Sequence, residues 1–163
     1  MKETIMAVAL KGLSDNARKT SISELNGRLA DSIALALAVK QAHWNVKGRN
    51  FIAVHELFDT VHTNLREQID VMAERVQQLD GVAIGTAEKV SGATTLPEYP
   101  TDLTRAEDHI RALCDRFRDH GERLRIAIDA TDEAGDADTA DIFTAASRSV
   151  DKDLWFMESH LEE

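Results

Sequence analysis

His43, His55, Asp59, Asp70 and Glu74 are the residues whose types and spacing can hold a transition metal. His55 and Asp59 lie one helical turn apart, and so do Asp70 and Glu74. A mixed imidazole and carboxylate set suits Fe(II), Mn(II) or Zn(II), and the lack of thiolate disfavours a closed structural zinc site. Asp59 and Asp70 are eleven positions apart. At about 100° per residue that interval returns to the same face within ~20°, but ~16 Å further along the axis. One ion therefore cannot touch both pairs within one chain. The spacing makes sense if a two-fold copy of the helix runs antiparallel, so that His43, His55 and Asp59 of one chain face Asp70 and Glu74 of the other. Carboxylates one turn apart also occur as a plain solvated face in an acidic protein, and spacing alone leaves that alternative open.

Two nearby signatures fail. His55-Glu56-Leu57-Phe58-Asp59 resembles the zinc-protease H-E-x-x-H, yet it ends in Asp and lacks the two-histidine platform. None of the 6 histidines has a Glu three residues before it, which excludes paired E-x-x-H motifs and disfavours a conventional ferritin centre inside the bundle.

Four helices are needed to position these groups. Ser21 with Glu24 reads as a capping box that opens the first, in which Leu25, Leu29, Ile33 and Leu37 repeat until Lys47-Gly48. From Phe51, the residues Val54, Phe58, Val61, Leu65, Ile69, Met72, Val76 and Leu79 recur at steps of three and four, ending before Asp80-Gly81. The short turn between them makes an αα-hairpin and sets position 43 beside position 55. Residues 81–103 hold Gly81, Gly85, Gly92 and both prolines, and read as a crossover with room for a short helix. Thr104 with Glu107 predicts a third long helix to about Ala130, followed by an acidic turn over 129–138. A fourth carries Ile142, Ala146, Val150, Leu154, Met157 and Leu161. Two helical hairpins joined by a long crossover form an all-α, ferritin-like four-helix bundle over residues 21–163, with residues 1–20 as an N-terminal extension that partly docks.

Composition agrees. With 163 residues, 43% of them hydrophobic, the chain suits one domain. Its 19 basic and 29 acidic residues give a formal charge of −10, which excludes a simple basic DNA-binding module. The single cysteine, Cys114, fits a reducing compartment, and no apolar run reaches the ~18 residues of a membrane span. A soluble, cytoplasmic protein without membrane contact is expected.

Residues 40–48 (KQAHWNVKG), 51–59 (FIAVHELFD), 70–75 (DVMAER), 139–148 (TADIFTAASR) and 151–156 (DKDLWF) together resemble the Dps family, the DNA-binding proteins from starved cells. The likeness covers about residues 21–161. It implies a hollow shell of twelve ferritin-like bundles in a bacterial cytoplasm or nucleoid, which oxidises Fe(II), preferably with hydrogen peroxide, and stores the ferric product. No organic cofactor is implied. His43, His55 and Asp59 would come from one chain, and Asp70 and Glu74 from its two-fold neighbour, in agreement with the spacing. Trp44 resembles a tryptophan that flanks the family's site; the alternative is an aromatic filling the hairpin interface. Asp136 and Asp141 match positions lining three-fold pores, and Asp132 could extend that funnel. His62, His109, His120 and His160 match no ligand and are expected at the surface or an interface. Lys40, one turn before His43, could pair with a site carboxylate or stand solvated. Other readings are a DNA-condensing nucleoid protein whose iron site is secondary, and a helical assembly without catalysis. Because condensing relatives use Lys-rich tails and residues 1–20 mix charges, DNA binding is expected to be weak or conditional.

Overall fold

A computed structural model describes residues 10–161. Five helices and no strand are found among them: α1 (Asp15–Asn45), α2 (Phe51–Gln78), α3 (Ala87–Ala93), α4 (Ala106–Ala134) and α5 (Ala137–Glu158). Short turns pair α1 with α2 and α4 with α5, while α1 also packs on α4, and α2 on α5. The crossover carries α3 against α1. This is the expected bundle with its long crossover and short helix. Residues 1–9 of the expected extension, with the apolar Ile5, Met6 and Val8, lie outside the described residues, as do 162 and 163.

Burial follows the helical period. Phe58, Phe117, Phe143, Leu65, Met72 and Leu124 are fully buried between the two hairpins. Leu37 departs from its expected core role, being 61% exposed while Leu35 and Val39 are buried. A strict four-residue repeat advances about 40° per step, so Leu37 has rotated about 120° away from Leu25.

The helix ends also differ from the capping boxes. Ser14, not Ser21, caps α1, its Oγ accepting from the N–H of Ala17 at 3.0 Å. Ser21 sits inside the helix, where its buried hydroxyl donates to Asp136 Oδ2 at 2.7 Å. Thr104 does not cap α4, because a short parallel bridge captures that segment. Lys47 N–H donates to Thr104 O at 2.8 Å and Ala106 N–H to Lys47 O at 3.2 Å. α4 then runs beyond Ala130 to Gly135, whose φ of 93° supplies the left-handed stop. The broad acidic turn contracts accordingly, and Asp132 becomes part of α4. At Gly81, a Cβ would lie 2.9 Å from Val76 Cγ1 and 3.1 Å from Ile22. Only glycine lets the crossover leave α2 so close to the bundle. No described helix is long and apolar enough to cross a membrane.

Candidate metal centre

The α1–α2 turn brings His43 and His55 face to face, with ring centroids 3.7 Å apart and planes inclined by 21°. Each ring donates from Nδ1 to the other's backbone carbonyl, His43 to His55 O and His55 to His43 O, both at 2.9 Å. These two bonds put a proton on each Nδ1 and leave Nε2 as the ring atom through which either imidazole can ligate a metal. Asparagine closes the helix end behind them, Asn45 Nδ2 donating to Gln41 O at 2.8 Å. His43 is buried and His55 half-buried, with Phe51 packed 5.0 Å from the His55 ring.

Asp59 lies one turn beyond His55 and is exposed, its Oδ1 paired with Lys40 Nζ at 2.9 Å. The Lys40 hydrogen bond, against a small burial effect, holds its carboxyl below the ordinary range. Lys40 thus takes the pairing role weighed for it, rather than standing free. Its Nζ also sits 5.8 Å from the Trp44 ring. Trp44 is 68% exposed, so it does not fill the hairpin interface of its own chain.

Asp70 and Glu74 occupy the far half of α2 and are both exposed. Among the described residues, no three His, Cys, Asp or Glu side chains converge to hold a metal. The structure thus brings His43 and His55 together, leaves Asp59 one turn away on Lys40, and sets Asp70 and Glu74 apart in the far half of α2.

The expected pore aspartates separate. Asp132 and Asp141 are exposed at the end of α4 and start of α5. Asp136 corrects the expectation. It is 1% exposed and caps α5, accepting from Thr139 N–H at 3.1 Å, Thr139 Oγ1 at 2.6 Å and Ser21 Oγ, and pairing with Arg75 at 2.8 Å. A carboxylate so enclosed cannot line an open channel. The exposed Asp138 beside it, 3.8 Å from the same guanidinium, faces outward instead. Burial would raise the Asp136 carboxyl, but the Thr139 and Ser21 bonds and the Arg75 charge outweigh it and hold it low.

Two of the histidines expected at the surface or an interface are buried inside the chain. His120 bonds Ser32 Oγ at 3.0 Å, and burial pulls it down to about 4; His109 meets Tyr99 Oη at 2.7 Å. Both lie three or four positions from Leu113, Phe117 or Leu124, so the helical phase already placed them on the core face. His62 is half-buried and His160 exposed, as expected.

The ferritin-like domain matches residues 22–163. The DNA protection during starvation protein of Agrobacterium fabrum is 54% identical over 151 residues, covering 93% of this chain and 93% of that one. DpsC from Streptomyces coelicolor superimposes with a TM-score of 0.91 at 30% identity, over 96% of this chain and 92% of its own. The Vibrio cholerae Dps structure, described as one of the ferritin-like diiron-carboxylate proteins, gives 0.88 at 25% identity, over 96% and 98%.

Proposed function

The chain belongs to the Dps family of ferritin-like proteins, and from that premise we propose that it oxidises Fe(II) and stores the ferric product inside a closed shell of its own copies. The observation that carries this reading is the reciprocal His43–His55 pair, in which each Nδ1 is engaged by a backbone carbonyl and Nε2 is the ring atom left for a ligand, with Asp59 one helical turn beyond His55. The complement is Asp70 and Glu74, about 16 Å along the same helix. A two-fold neighbour running antiparallel supplies that acidic pair to each histidine pair. The donor set fits iron: imidazoles accept Fe(II), and added carboxylates favour the Fe(III) product.

Iron is the substrate. Two Fe(II) ions each give one electron to hydrogen peroxide; its O–O bond breaks and, with two protons, it leaves as two waters. Two-electron reduction yields no hydroxyl radical. Lys40 holds Asp59 until iron arrives and then releases the carboxylate to the incoming cation. Asp132 and Asp141, repeated around a three-fold axis of twelve copies, concentrate Fe(II) at the entrance. Removing iron and peroxide protects DNA without touching it, which suits a surface of strong negative charge better than the DNA-condensing alternative.

The test is anaerobic Fe(II) loading followed by hydrogen peroxide. Ferric absorbance should rise faster than in buffer, and the iron should elute with the protein. Ferric precipitate at the buffer rate would overturn the reading.

A further inference from the structure

Lys47, Arg49 and Arg105 surround one cavity of about 320 Å³ beside the α1–α2 turn, in a chain whose formal charge is −10. Nothing in the iron chemistry uses them. The scaffold beneath them is the short parallel bridge, in which Lys47 N–H donates to Thr104 O at 2.8 Å and Ala106 N–H to Lys47 O at 3.2 Å. It holds the turn against the start of α4, so that Lys47 and Arg105, far apart in sequence, open onto the same space. Gly48, with a φ of 131°, lets the turn fold back until Phe51 N–H reaches its carbonyl at 3.2 Å. Val54 and Ile110, each 1% exposed, close the floor, and His160, just beyond α5, adds a ring nitrogen to the wall.

Three permanent cations meet one carboxylate there. Glu107 takes Arg105 Nη2 at 3.2 Å, which leaves the other N–H groups of that guanidinium without a protein acceptor among the described residues. No carboxylate of the described residues lies within 4.0 Å of the charged nitrogens of Lys47, Arg49 or His160. Like charges gathered in this way cost free energy, and an anion between them removes the cost. Two helix starts add to the same field. α2 begins at Asn50 with neither a side-chain cap nor an acidic residue in its first turn, and α4 begins at Arg105 without a side-chain cap. Glu107 and Asp108 offset the positive end of α4, whereas that of α2 is left uncompensated.

We propose that this cavity binds a phosphate group, presented as orthophosphate or as the end of a small phosphomonoester. A tetrahedral dianion offers acceptors in several directions. The forks of Arg49 and Arg105 meet such oxygens two at a time, while Lys47 supplies a point charge. A planar carboxylate uses fewer of these donors. The space is larger than one phosphate ion, and the apolar floor of Val54 and Ile110 takes a short carbon substituent. A DNA duplex brings its whole charged backbone against a chain of net charge −10, so a lone terminal phosphate is the better match. Its occupancy ties the α1–α2 turn, which also carries His43 and His55, to the start of α4. The proposal does not rest on the iron reading.

The experiment titrates the iron-free assembled protein with orthophosphate, and separately with ethyl phosphate, by isothermal titration calorimetry in chloride of constant ionic strength. Saturable binding of one phosphate per chain is expected, and the tighter of the two probes identifies the source. Arg49→Gln and Arg105→Gln change exposed side chains, and each should weaken binding about tenfold, the loss of one charge-assisted hydrogen bond. Lys89→Gln, which removes the same charge from an exposed position on α3, should leave the affinity unchanged. The midpoint of thermal unfolding should rise with phosphate in the wild type and stay constant in the double arginine variant. Should one arginine variant misfold by circular dichroism, the other carries the test. Absence of saturable binding to the wild type, affinity unaltered in folded Arg49→Gln and Arg105→Gln, an equal loss in Lys89→Gln, or displacement of phosphate by a short DNA duplex would overturn the proposal.

Discussion

Arg75 and Asp136 stand 61 positions apart in sequence and 2.8 Å apart in space, a buried ion pair that fastens α2 to the corner between α4 and α5. Removing one partner of such a pair strands the other, so Asp136→Ala should lower the unfolding free energy by about 3–5 kcal/mol. Asp141→Asn, on the exposed side of the corner, should stay within about 0.5 kcal/mol of wild type while slowing Fe(II) uptake at low iron. Denaturant titration and uptake kinetics of both variants check this; equal destabilisation would refute the distinction. The Asp136 carboxyl is held low in the fold, so its contribution is complete above the unfolded value of ~3.9 and disappears as pH falls through the lower folded value.

Asp153 should behave in the opposite sense. It is 1% exposed, accepts one bond from Asn64 at 2.8 Å, and leaves Oδ2 unpartnered. Burial pushes its carboxyl up to about 6. The folded protein then binds more protons than the unfolded chain between ~3.9 and that value, and stability falls as pH rises through the interval. Asp153→Asn keeps the shape and the Asn64 acceptor without the charge. It should stabilise the protein by on the order of 2 kcal/mol at pH near 7.5 and by almost nothing near pH 4, as followed by denaturation at both values. Equal effects at both pH values would contradict the assignment.

Each oxidation site should need two chains. His55→Ala with Asp59→Ala removes one half of every site, and Asp70→Ala with Glu74→Ala removes the other. Either pure assembly should be nearly inactive. Random equal mixing makes about half of the two-fold interfaces hybrid, each with one complete site, so about a quarter of all sites should return. Initial Fe(II) oxidation by co-expressed variants, with mixing confirmed by mass spectrometry, decides the matter. Mixed, folded shells without recovery would reject the shared site.

Leu37 should be an assembly residue. It is 61% exposed beside the cavity that Ala38, Gln41 and Val90 line between α1 and α3. Covering such a side chain contributes about 1.5–3 kcal/mol per copy. Leu37→Glu should therefore break the shell into smaller species under light scattering, with helicity preserved. A full-sized shell would remove Leu37 from the interface.

The helices were legible because Phe58, Leu65 and Met72 recur at the period of a buried stripe, and that pattern needs no partner to be recognised. The histidine pair was legible for a related reason: a short turn leaves positions 43 and 55 nowhere else to go. Asp136 was not. An aspartate in an acidic turn has the same letters whether it faces water or a buried guanidinium, and the deciding residue, Arg75, lies on another helix. Ser21 misled in the same way, since its hydroxyl serves Asp136 rather than its own helix start. Local chemistry sets elements, whereas the use of a polar group depends on distant company.

The stacked rings of His43 and His55 make the two positions non-independent under substitution. Replacing either ring removes a ligand, vacates the carbonyl of the other residue and strips the surviving imidazole of its stacking partner, although that imidazole keeps its bond to the backbone carbonyl at the replaced position. The second replacement then has less left to undo. A double-mutant comparison at 43 and 55 should be strongly sub-additive in stability, and alanine at one position overstates what that histidine alone gives to iron binding.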